Sequence, residues 1–337
     1  MSEKNMMIPA DYQNKLSILD TEIAIKFVKD TFEQKLAQNL QLTRVSAPLF
    51  VTPESGLNDD LNGIERPVEF DILSTKSNVQ IVHSLAKWKR KALSRYQFQP
   101  GQGLYTDMNA IRRDEVLDNL HSIYVDQWDW EKIITRENRN IDTLKETVLQ
   151  IVNALKFTQN KLVSRFPQIE SFISPEVTFI TSQELEDRYP QLTPKERENR
   201  ICQEHHTVFI TQIGGKLKSG IPHDGRAPDY DDWSLNGDLL IWYPVLNQAV
   251  EVSSMGIRVD EQSLQNQLEI AGCEERKNLS FHKQLLNGEL PLTIGGGIGQ
   301  SRICMLLLQK AHIGEVHASI WSDEMIAECE KHQVILL

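Results

Sequence analysis

The sequence is poor in cysteine, with four in 337 residues. Cys202, Cys273, Cys304 and Cys329 include no Cys-x-x-Cys pair, and so few in a chain this long do not make a disulfide framework. The first residues, MSEKNMMIPADYQNK, lack the apolar core of a secretory signal, and no apolar run approaches the roughly 18 residues of a membrane span. These absences predict a cytoplasmic protein with reduced thiols and no membrane partner.

Basic residues are also in deficit. The chain has 36 Lys and Arg against 47 Asp and Glu, a formal net charge of −11. Binding along a phosphate backbone needs many cations, so this balance argues against nucleic acid as a partner. Composition is otherwise that of a globular protein, and the length allows a sizeable core. Because there is no internal repeat or low-complexity linker, we predict a single domain over residues 1–337.

Hydrophobic spacing and turn residues predict a mixture of helices and strands. Helices are expected at 21–40, 83–93 and 141–166, twice within 182–206, and over 261–287 with a break near Gly272. Strands are expected at 104–111, 121–130, 238–243 and 249–258. The polar, glycine-rich stretch 214–237 is predicted to be a long loop, and loops of that length usually act as lids or binding loops.

The segment HSIYVDQWDWE, residues 121–131, predicts a strand with two different faces. Alternation puts Gln127, Asp129 and Glu131 on one face, opposite two tryptophans. The tryptophans indicate a face packed on a hydrophobic layer, which leaves a polar face suited to be the floor of a polar ligand site. An ordinary amphipathic strand with a solvated polar face is the alternative.

The glycine run 295–299, GGGIG, matches neither the dinucleotide-binding template nor the P-loop template. We expect a glycine turn that opens a helix with Arg302 in its first turn. Such a turn can bind phosphate at the helix N-terminus, or it can be a purely structural turn before a core helix.

Three further segments carry charge. In EVSSMGIRVD, a bulge at Gly256 would bring Glu251 and Arg258 to one face, which suits either a metal–phosphate site beside a carboxylate pocket or an ion pair. The run HSLAKWKRK is by default a solvated helix face. The run PDYDDW is by default a mobile surface loop, with a metal role for Asp231 or Asp232 as a weaker alternative.

Six segments together resemble the ammonia-dependent (A-type) asparagine synthetases, which are aspartate–ammonia ligases: HSLAKWKR, HSIYVDQWDWE, RAPDYDDW, NGDLLIW, SSMGIRVD and GGGIGQSR. The likeness runs from about residue 20 to the C-terminus, which leaves residues 1–19 as an N-terminal extension. It implies an α+β fold like the catalytic domain of class II aminoacyl-tRNA synthetases, with an antiparallel β-sheet flanked by helices. It also implies a homodimer, with an interface built by the first long helix and the strand that reaches Pro48. Residues 214–237 would then be a mobile active-site loop.

The resemblance further implies a reaction. ATP and aspartate would form β-aspartyl-adenylate and pyrophosphate, and free ammonia would then displace AMP to give asparagine. Arg112 would bridge the reacting carboxylate and the α-phosphate, and Arg302 would hold the distal end of ATP. Asp238 and Glu251 would hold Mg²⁺ on the phosphates. One departure is that the usual Arg-x-Glu of this family of folds reads Arg112-Arg113-Asp114 here.

For aspartate itself, we infer that Lys89 and Arg258 hold the α-carboxylate and so direct the β-carboxylate toward Arg112. The other predicted substrate ligands are Ser84, Asp129, Ser254 and Asp59. Gln127 would orient the activated carbonyl, and Asp59 would also accept a proton from the incoming ammonium.

Two alternatives remain at this point. One is a tRNA-charging enzyme or a truncated relative of one, which the acidic charge disfavours, as does the short stretch of about twenty residues before the first helix. The other is a non-catalytic dimeric module that binds an amino acid; against it, Arg112, Gln127, Glu251 and Arg302 are all present. Ammonia is preferred to glutamine as the nitrogen donor because residue 2 is Ser and no cysteine lies in a nucleophile-like segment.

Overall fold

The structure is a computed structural model that describes residues 6–58 and 65–337. Its strands, in chain order, are β1 (Leu42–Arg44), β2 (Phe50–Val51), β3 (Glu69–Ile72), β4 (Ser77–Ile81), β5 (Gly103–Ile111), β6 (Tyr124–Ile133), β7 (Thr178–Thr181), β8 (Thr207–Thr211), β9 (Asp231–Tyr243), β10 (Gln248–Arg258) and β11 (Thr293–Gly299). Its α-helices are α1 (Ile18–Leu40), α2 (Ala86–Arg95), α3 (Ile141–Arg165), α4 (Ser182–Arg188), α5 (Pro194–His205), α6 (Glu261–Ile270), α7 (Ser280–Leu286), α8 (Gln300–Leu307) and α9 (Asp323–Lys331). None of these helices, within the described ranges, has the length and hydrophobicity to cross a bilayer.

Eight strands form the main sheet, in the order β1-β5-β6-β11-β10-β9-β8-β7. The six central strands are antiparallel, whereas β1 pairs with β5 and β7 pairs with β8 in parallel. The prediction of an antiparallel sheet is therefore wrong at both edges, and the sheet is mixed. Parallel neighbours need a crossover connection, and α4 with α5 provides it between β7 and β8. Between β1 and β5 the chain forms α2 and a small antiparallel sheet of β2, β4 and β3.

One face of the main sheet packs on the hydrophobic core. Trp128 and Trp130 of β6 are fully buried there, as the alternation predicted, and the Phe32 ring of α1 lies 4.8 Å from that of Trp128. Helix α1 begins after Ser17, whose side chain accepts a hydrogen bond from a backbone N–H of the first turn. Its buried stripe repeats mainly every four residues: Ala24, Val28, Phe32, Leu36 and Leu40.

Several predicted bounds change. The predicted loop 214–237 is shorter, because residues 231–237 belong to β9. The predicted glycine turn at 295–299 is part of β11. The break near Gly272 is confirmed, and a 3₁₀ turn separates α6 from α7. Strands β3, β4, β7 and β8 were not predicted, since they are only four or five residues long.

Candidate functional site

A cleft on the polar face of the sheet collects nine of the eleven predicted site residues. They are Ser84, Lys89, Arg112, Gln127, Asp129, Glu251, Ser254, Arg258 and Arg302. Asp238 does not line this cleft and is bonded instead to the side chain of Arg226. Asp59 lies outside the described residues. The cleft is therefore assembled from α2, the β5–β6 hairpin, β10 and the start of α8.

The glycine run owes its composition to the strand beside it. In the register of β11 against β6, Gly297 pairs with Asp129 and Gly295 with Glu131. A Cβ on Gly297 would lie 2.5 Å from Gln127 Oε1 and 2.8 Å from Asp129 Oδ1, while one on Gly295 would lie 2.0 Å from Glu131 Oε2. The run is therefore not a turn: Gly295 and Gly297 are strand positions that leave room for the polar side chains of β6. The helix expected after the run is confirmed, since α8 begins at Gln300 with Arg302 in its first turn, and phosphate binding there stays a prediction.

Gly297→Ala should therefore impair activity much more than stability. The added methyl group must displace Gln127 Oε1 and Asp129 Oδ1, and misplacing a site by about 1 Å can cost on the order of 10²-fold in rate. Turnover measured beside a thermal melt tests this. The control is Ser164→Thr, which also adds one methyl group, on the exposed surface of α3 and away from the cleft. Equal losses in both variants would contradict the expectation.

A network of five charged side chains closes the deep end of the cleft. Lys89 Nζ lies 3.3 Å from Asp129 Oδ1 and 3.9 Å from Glu131 Oε2. Arg258 Nη2 lies 2.8 Å from Glu131 Oε2, and Arg258 Nη1 bonds Asp231 Oδ1. All five residues are at most 4% exposed. Two cations thus face three carboxylates in a region from which water is largely excluded.

Their pKa shifts follow from burial and from one another. Burial lowers the pKa of Lys89, although Asp129 opposes the shift. Burial alone would raise the pKa of Glu131, but Arg258 and Lys89 hold it below its usual value. Asp231 is the exception, because burial raises its pKa despite Arg258. Such a network presents cations and carboxylates together, which suits the carboxylate and the ammonium of an amino-acid head group.

Helix α2 does not present a solvated cationic face, so that default interpretation is wrong. Lys87, Lys89 and Arg90 are all buried. Lys87 Nζ lies 3.0 Å from Asp229 Oδ2, and Arg90 donates to the carbonyl oxygens of Pro291 and Val259. Among the three, Lys89 is the residue that lines the cleft.

The acidic run PDYDDW is not a mobile surface loop either. Asp229, Asp231 and Asp232 are buried, and each is paired with at least one cation. Asp231 pairs with Arg258 and Asp232 with Arg139. Arginine guanidinium groups bond both of the last two carboxylates, and the metal role considered for them stays a prediction.

The β5–β6 hairpin positions Arg112 at the open side of the cleft. The Arg112 Nη1 lies 4.0 Å from Glu115 Oε2, and its buried Nε has no hydrogen-bond partner among the residues that the structure describes. Asp114, the acid of the variant motif, instead bonds the exposed Arg66, with its Oδ2 2.9 Å from Arg66 Nε. Glu115 lines the cleft, so the acid beside Arg112 is one residue later than the family pattern places it. Glu115 was not among the predicted site residues, although it is adjacent to the motif.

Asp238 and Glu251 lie on one face of the sheet. Leu240 is paired with Glu251 on the neighbouring strand, and Asp238 is two residues before Leu240, so all three side chains share that face. Arg226 Nη2 bonds Asp238 Oδ1. Burial raises the pKa of Asp238 to about 7; Arg226 opposes the shift, while the nearby Glu251 adds to it. Arg302 Nη1 donates to the Glu251 carbonyl oxygen at 3.0 Å. Arg226 was not among the predicted site residues, and only its position in the RAPDYDDW segment pointed to it.

The irregularity predicted at Gly256 is confirmed, since the β9–β10 register shifts between Gly256 and Arg258. A second shift occurs between Glu251 and Ser253. Glu251 and Arg258 both line the cleft, as the bulge was expected to allow. Arg258 also forms the alternative cross-strand ion pair, since Asp231 lies opposite it on β9, whereas Glu251 does not pair with Arg258.

The segment between β8 and β9 is held against α4 and α5. His223 Nε2 lies 3.2 Å from Glu198 Oε1, and Ser219 Oγ donates to Glu186 Oε1 at 2.7 Å. Together with the contact of Arg226, these bonds describe one docked arrangement of residues 214–230. The predicted motion of this segment remains a prediction.

Comparison with known proteins identifies close relatives. The profile of the family described as aspartate-ammonia ligase matches residues 19–333. A protein named aspartate--ammonia ligase from Clostridium perfringens (strain SM101 / Type A) is 66% identical over 335 residues, which cover 99% of this chain and 100% of the relative. A protein of the same name from Ruminiclostridium cellulolyticum is 62% identical and covers 99% of both chains.

A distant solved structure shares the fold. It is the asparaginyl-tRNA synthetase from Pyrococcus horikoshii, crystallised with asparaginyl-adenylate. The TM-score is 0.65 at 14% identity, and the match covers 90% of this chain and 70% of that one. The mixed sheet flanked by helices is thus a fold of the class II synthetase type.

Proposed function

The chain belongs to the aspartate–ammonia ligase family, and from that membership we propose that its cleft makes L-asparagine from L-aspartate, ammonia and ATP. The observation that carries the proposal is the buried pair Lys89 and Arg258 at the closed end of a cleft whose open side holds Arg112. This layout gives one anchor for an amino-acid head group and a separate cation for the group that reacts.

The chemistry requires activation of the side-chain carboxylate, which is a poor electrophile. One β-carboxylate oxygen attacks the α-phosphorus of ATP, so that a new P–O bond forms and pyrophosphate leaves. Ammonia then attacks the acyl carbon, AMP leaves, and the bound nitrogen loses a proton. The first step brings two anions together, and cations already in place lower its barrier.

Arg112 is placed to bridge the two anions of that step, because a guanidinium can bond two anionic oxygens at once. Lys89 and Arg258 hold the α-carboxylate, and Asp129 accepts from the α-ammonium. The remaining proposed substrate contacts are Ser84, Ser254, Gln127 and Asp59. Gln127 orients the activated carbonyl, and Arg302 holds the distal end of ATP.

Asp238 and Glu251 form a donor set that fits Mg²⁺, since both supply hard carboxylate oxygens on one face. Arg226 bonds Asp238 Oδ1, so the ion would share or replace that contact, and it would also relieve the repulsion by Glu251 that helps to raise the pKa of Asp238. Within residues 6–58 and 65–337, no group of three or more His, Cys, Asp or Glu could hold a metal. Two carboxylates with nucleotide phosphates and water are the usual Mg²⁺ environment. When bound, the ion neutralises phosphate charge.

Chelation of divalent ions should therefore abolish asparagine formation, and Mg²⁺ should restore it. The readout is AMP release in EDTA-treated enzyme before and after Mg²⁺ is added back. Full activity without a divalent ion would contradict the proposed role of Asp238 and Glu251. Activity regained with monovalent salt alone would also contradict it.

The function is tested by incubating the protein with aspartate, Mg·ATP and ammonium and measuring all products. We expect AMP, pyrophosphate and asparagine in equal amounts. ADP in place of AMP would contradict the adenylate route, and a requirement for tRNA would favour a tRNA-charging enzyme. Bound aspartate without any turnover would favour a non-catalytic amino-acid-binding module.

We also propose a homodimer. Helix α1 exposes Ile18, Leu19 and Ile23, and the chain near Pro48 exposes Leu49 and Phe50. Exposed large apolar side chains on the two segments expected at the interface suit burial against a second copy.

Sedimentation should then give about twice the monomer mass of 38.7 kDa. Phe50→Glu should shift the protein toward monomer, because a carboxylate is costly to bury without a partner. The control is Leu149→Glu on α3, which is 47% exposed against 40% for Phe50. A monomeric wild type, or dissociation by both variants alike, would contradict the proposed interface.

A further inference from the structure

The most enclosed carboxylate of the cleft network is Glu131, and the proposed reaction gives it no direct task. It is 0% exposed and does not itself line the cleft. Its Oε1 accepts from Arg258 Nε at 3.0 Å and from Thr293 Oγ1 at 2.6 Å, and its Oε2 accepts from Arg258 Nη2 at 2.8 Å. Lys89 Nζ is 3.9 Å away. A single hidden acid therefore contacts both proposed anchors of the substrate.

The neighbouring strand makes room for Glu131 by having a glycine, Gly295, opposite it, so no side chain packs at that position. A Cβ on Gly295 would lie 2.0 Å from Glu131 Oε2 and 2.6 Å from Arg258 Nη2. Any side chain at that strand position would break the contact between the two groups. A buried ion pair is also weak support for stability, since apolar residues of similar size often serve as well. Stability alone is therefore a poor reason for this arrangement.

Two of the N–H donors of Arg258 are not used by its contacts with the described residues. A guanidinium has five N–H donors in a planar fork. Glu131 takes the Nε donor and one donor of Nη2, and Asp231 takes one donor of Nη1. One N–H on each terminal nitrogen remains, which is the number that a bidentate carboxylate needs.

Resting on the proposed function, we propose that Glu131 is a positioning residue that makes Arg258 the receptor for the substrate α-carboxylate. It fixes the guanidinium by its Nε–Nη2 edge and so presents the two remaining donors to the cleft. It also contributes one of the negative charges that balance Lys89 and Arg258. Without it, Arg258 retains Asp231 as its partner and is free to turn about that contact.

The test compares two ligands that differ only in the α-carboxylate. L-Aspartate has it, whereas β-alanine keeps the ammonium and the far carboxylate but lacks it. Dissociation constants are measured for both by titration calorimetry with the full-length protein. In the wild type we expect aspartate to bind much more tightly, and in Glu131→Gln we expect that preference to fall by about tenfold or more, the scale of a lost charged hydrogen bond.

A matched control separates positioning from general damage. Glu315 is also buried, at 1% exposure, but it bonds Tyr12 and the backbone of residues 311 and 312. Glu315→Gln should lower the melting temperature and keep the preference for aspartate. A purely structural Glu131 would make the two variants behave alike, with affinity for both ligands reduced together.

A second variant covers the case in which Glu131→Gln does not fold. Thr293→Val removes the hydroxyl that donates to Glu131 Oε1 but keeps the acid. It should reduce the preference for aspartate by a smaller factor than Glu131→Gln does, because the carboxylate and its contacts with Arg258 remain. If the wild type shows no preference, the proposed substrate pocket is wrong. If the wild type shows it and folded variants keep it in full, the role of Glu131 is overturned.

Discussion

Arg112→Ala should reduce aspartate-dependent exchange of pyrophosphate into ATP by about 10³-fold, the upper part of the range seen when one preorganised electrostatic group is removed. The exchange needs no ammonia, so it isolates formation of the adenylate. Arg112 directly follows β5, where the cleft is open, and within residues 6–58 and 65–337 its buried Nε has no hydrogen-bond partner. When the carboxylate attacks the phosphate, oxygens of both groups lie between the donors of this cation. The cation therefore bonds the transition state more strongly than the separate ground-state groups.

The neighbouring arginine offers the control. Arg113 follows Arg112 in the same turn, but its side chain is exposed and it does not line the cleft. Arg113→Ala should keep the exchange rate within a few-fold of wild type, as surface changes usually do. Arg112→Lys should recover only part of the activity, because a lysine cannot bond two anions through a planar fork. Intact exchange with loss of asparagine formation in Arg112→Ala would place Arg112 after the adenylate.

The helices and strands that could be predicted are those whose hydrophobic residues repeat at regular spacing along the chain. Alternation along β6 separated the tryptophan face from the polar face, and the spacing of α1 and α3 gave helices within a few residues of their bounds. The glycine run shows the limit. Gly295 and Gly297 are required by Gln127, Asp129 and Glu131 on the neighbouring strand. No pattern within residues 295–299 reveals that pairing, so the run was predicted to be a turn.

The burial of charged residues in the candidate site could not be predicted from local sequence either. Local patterns predicted a solvated cationic face for α2 and a surface loop for PDYDDW. In the structure Lys87 of α2 pairs with Asp229 of PDYDDW, which is 142 residues later in the chain. Charged residues are seldom fully buried unless they are paired, and a pair so distant leaves no local trace. Nine of the eleven predicted site residues line the cleft. The parts played by Glu115 and Arg226, and the contacts of Glu131 with Lys89 and Arg258, required the three-dimensional arrangement.

Lys89→Ala should raise the KM for aspartate by about 10²-fold, the cost of losing a buried charged contact, with little change in kcat for pyrophosphate exchange. Lys89 Nζ donates to the Gly296 carbonyl oxygen at 3.1 Å and faces Asp129 and Glu131. Its removal leaves one guanidinium against three carboxylates, so a substrate α-carboxylate would enter a more negative pocket. The KM for ATP should not move. Lys91→Ala is the control, because Lys91 is on the same helix but does not line the cleft.

The pH dependence of aspartate affinity provides a second test of Lys89→Ala. Burial lowers the pKa of Lys89, so its charge is lost at a lower pH than for an exposed lysine. Aspartate affinity in the wild type should fall as the pH rises through that pKa, and Lys89→Ala should lack this component of the fall. If Lys89→Ala instead lowered kcat and left the KM for aspartate unchanged, Lys89 would act on the reacting carboxylate. The amino acid would then lie the other way round in the cleft, with its side chain against Lys89 and Arg258.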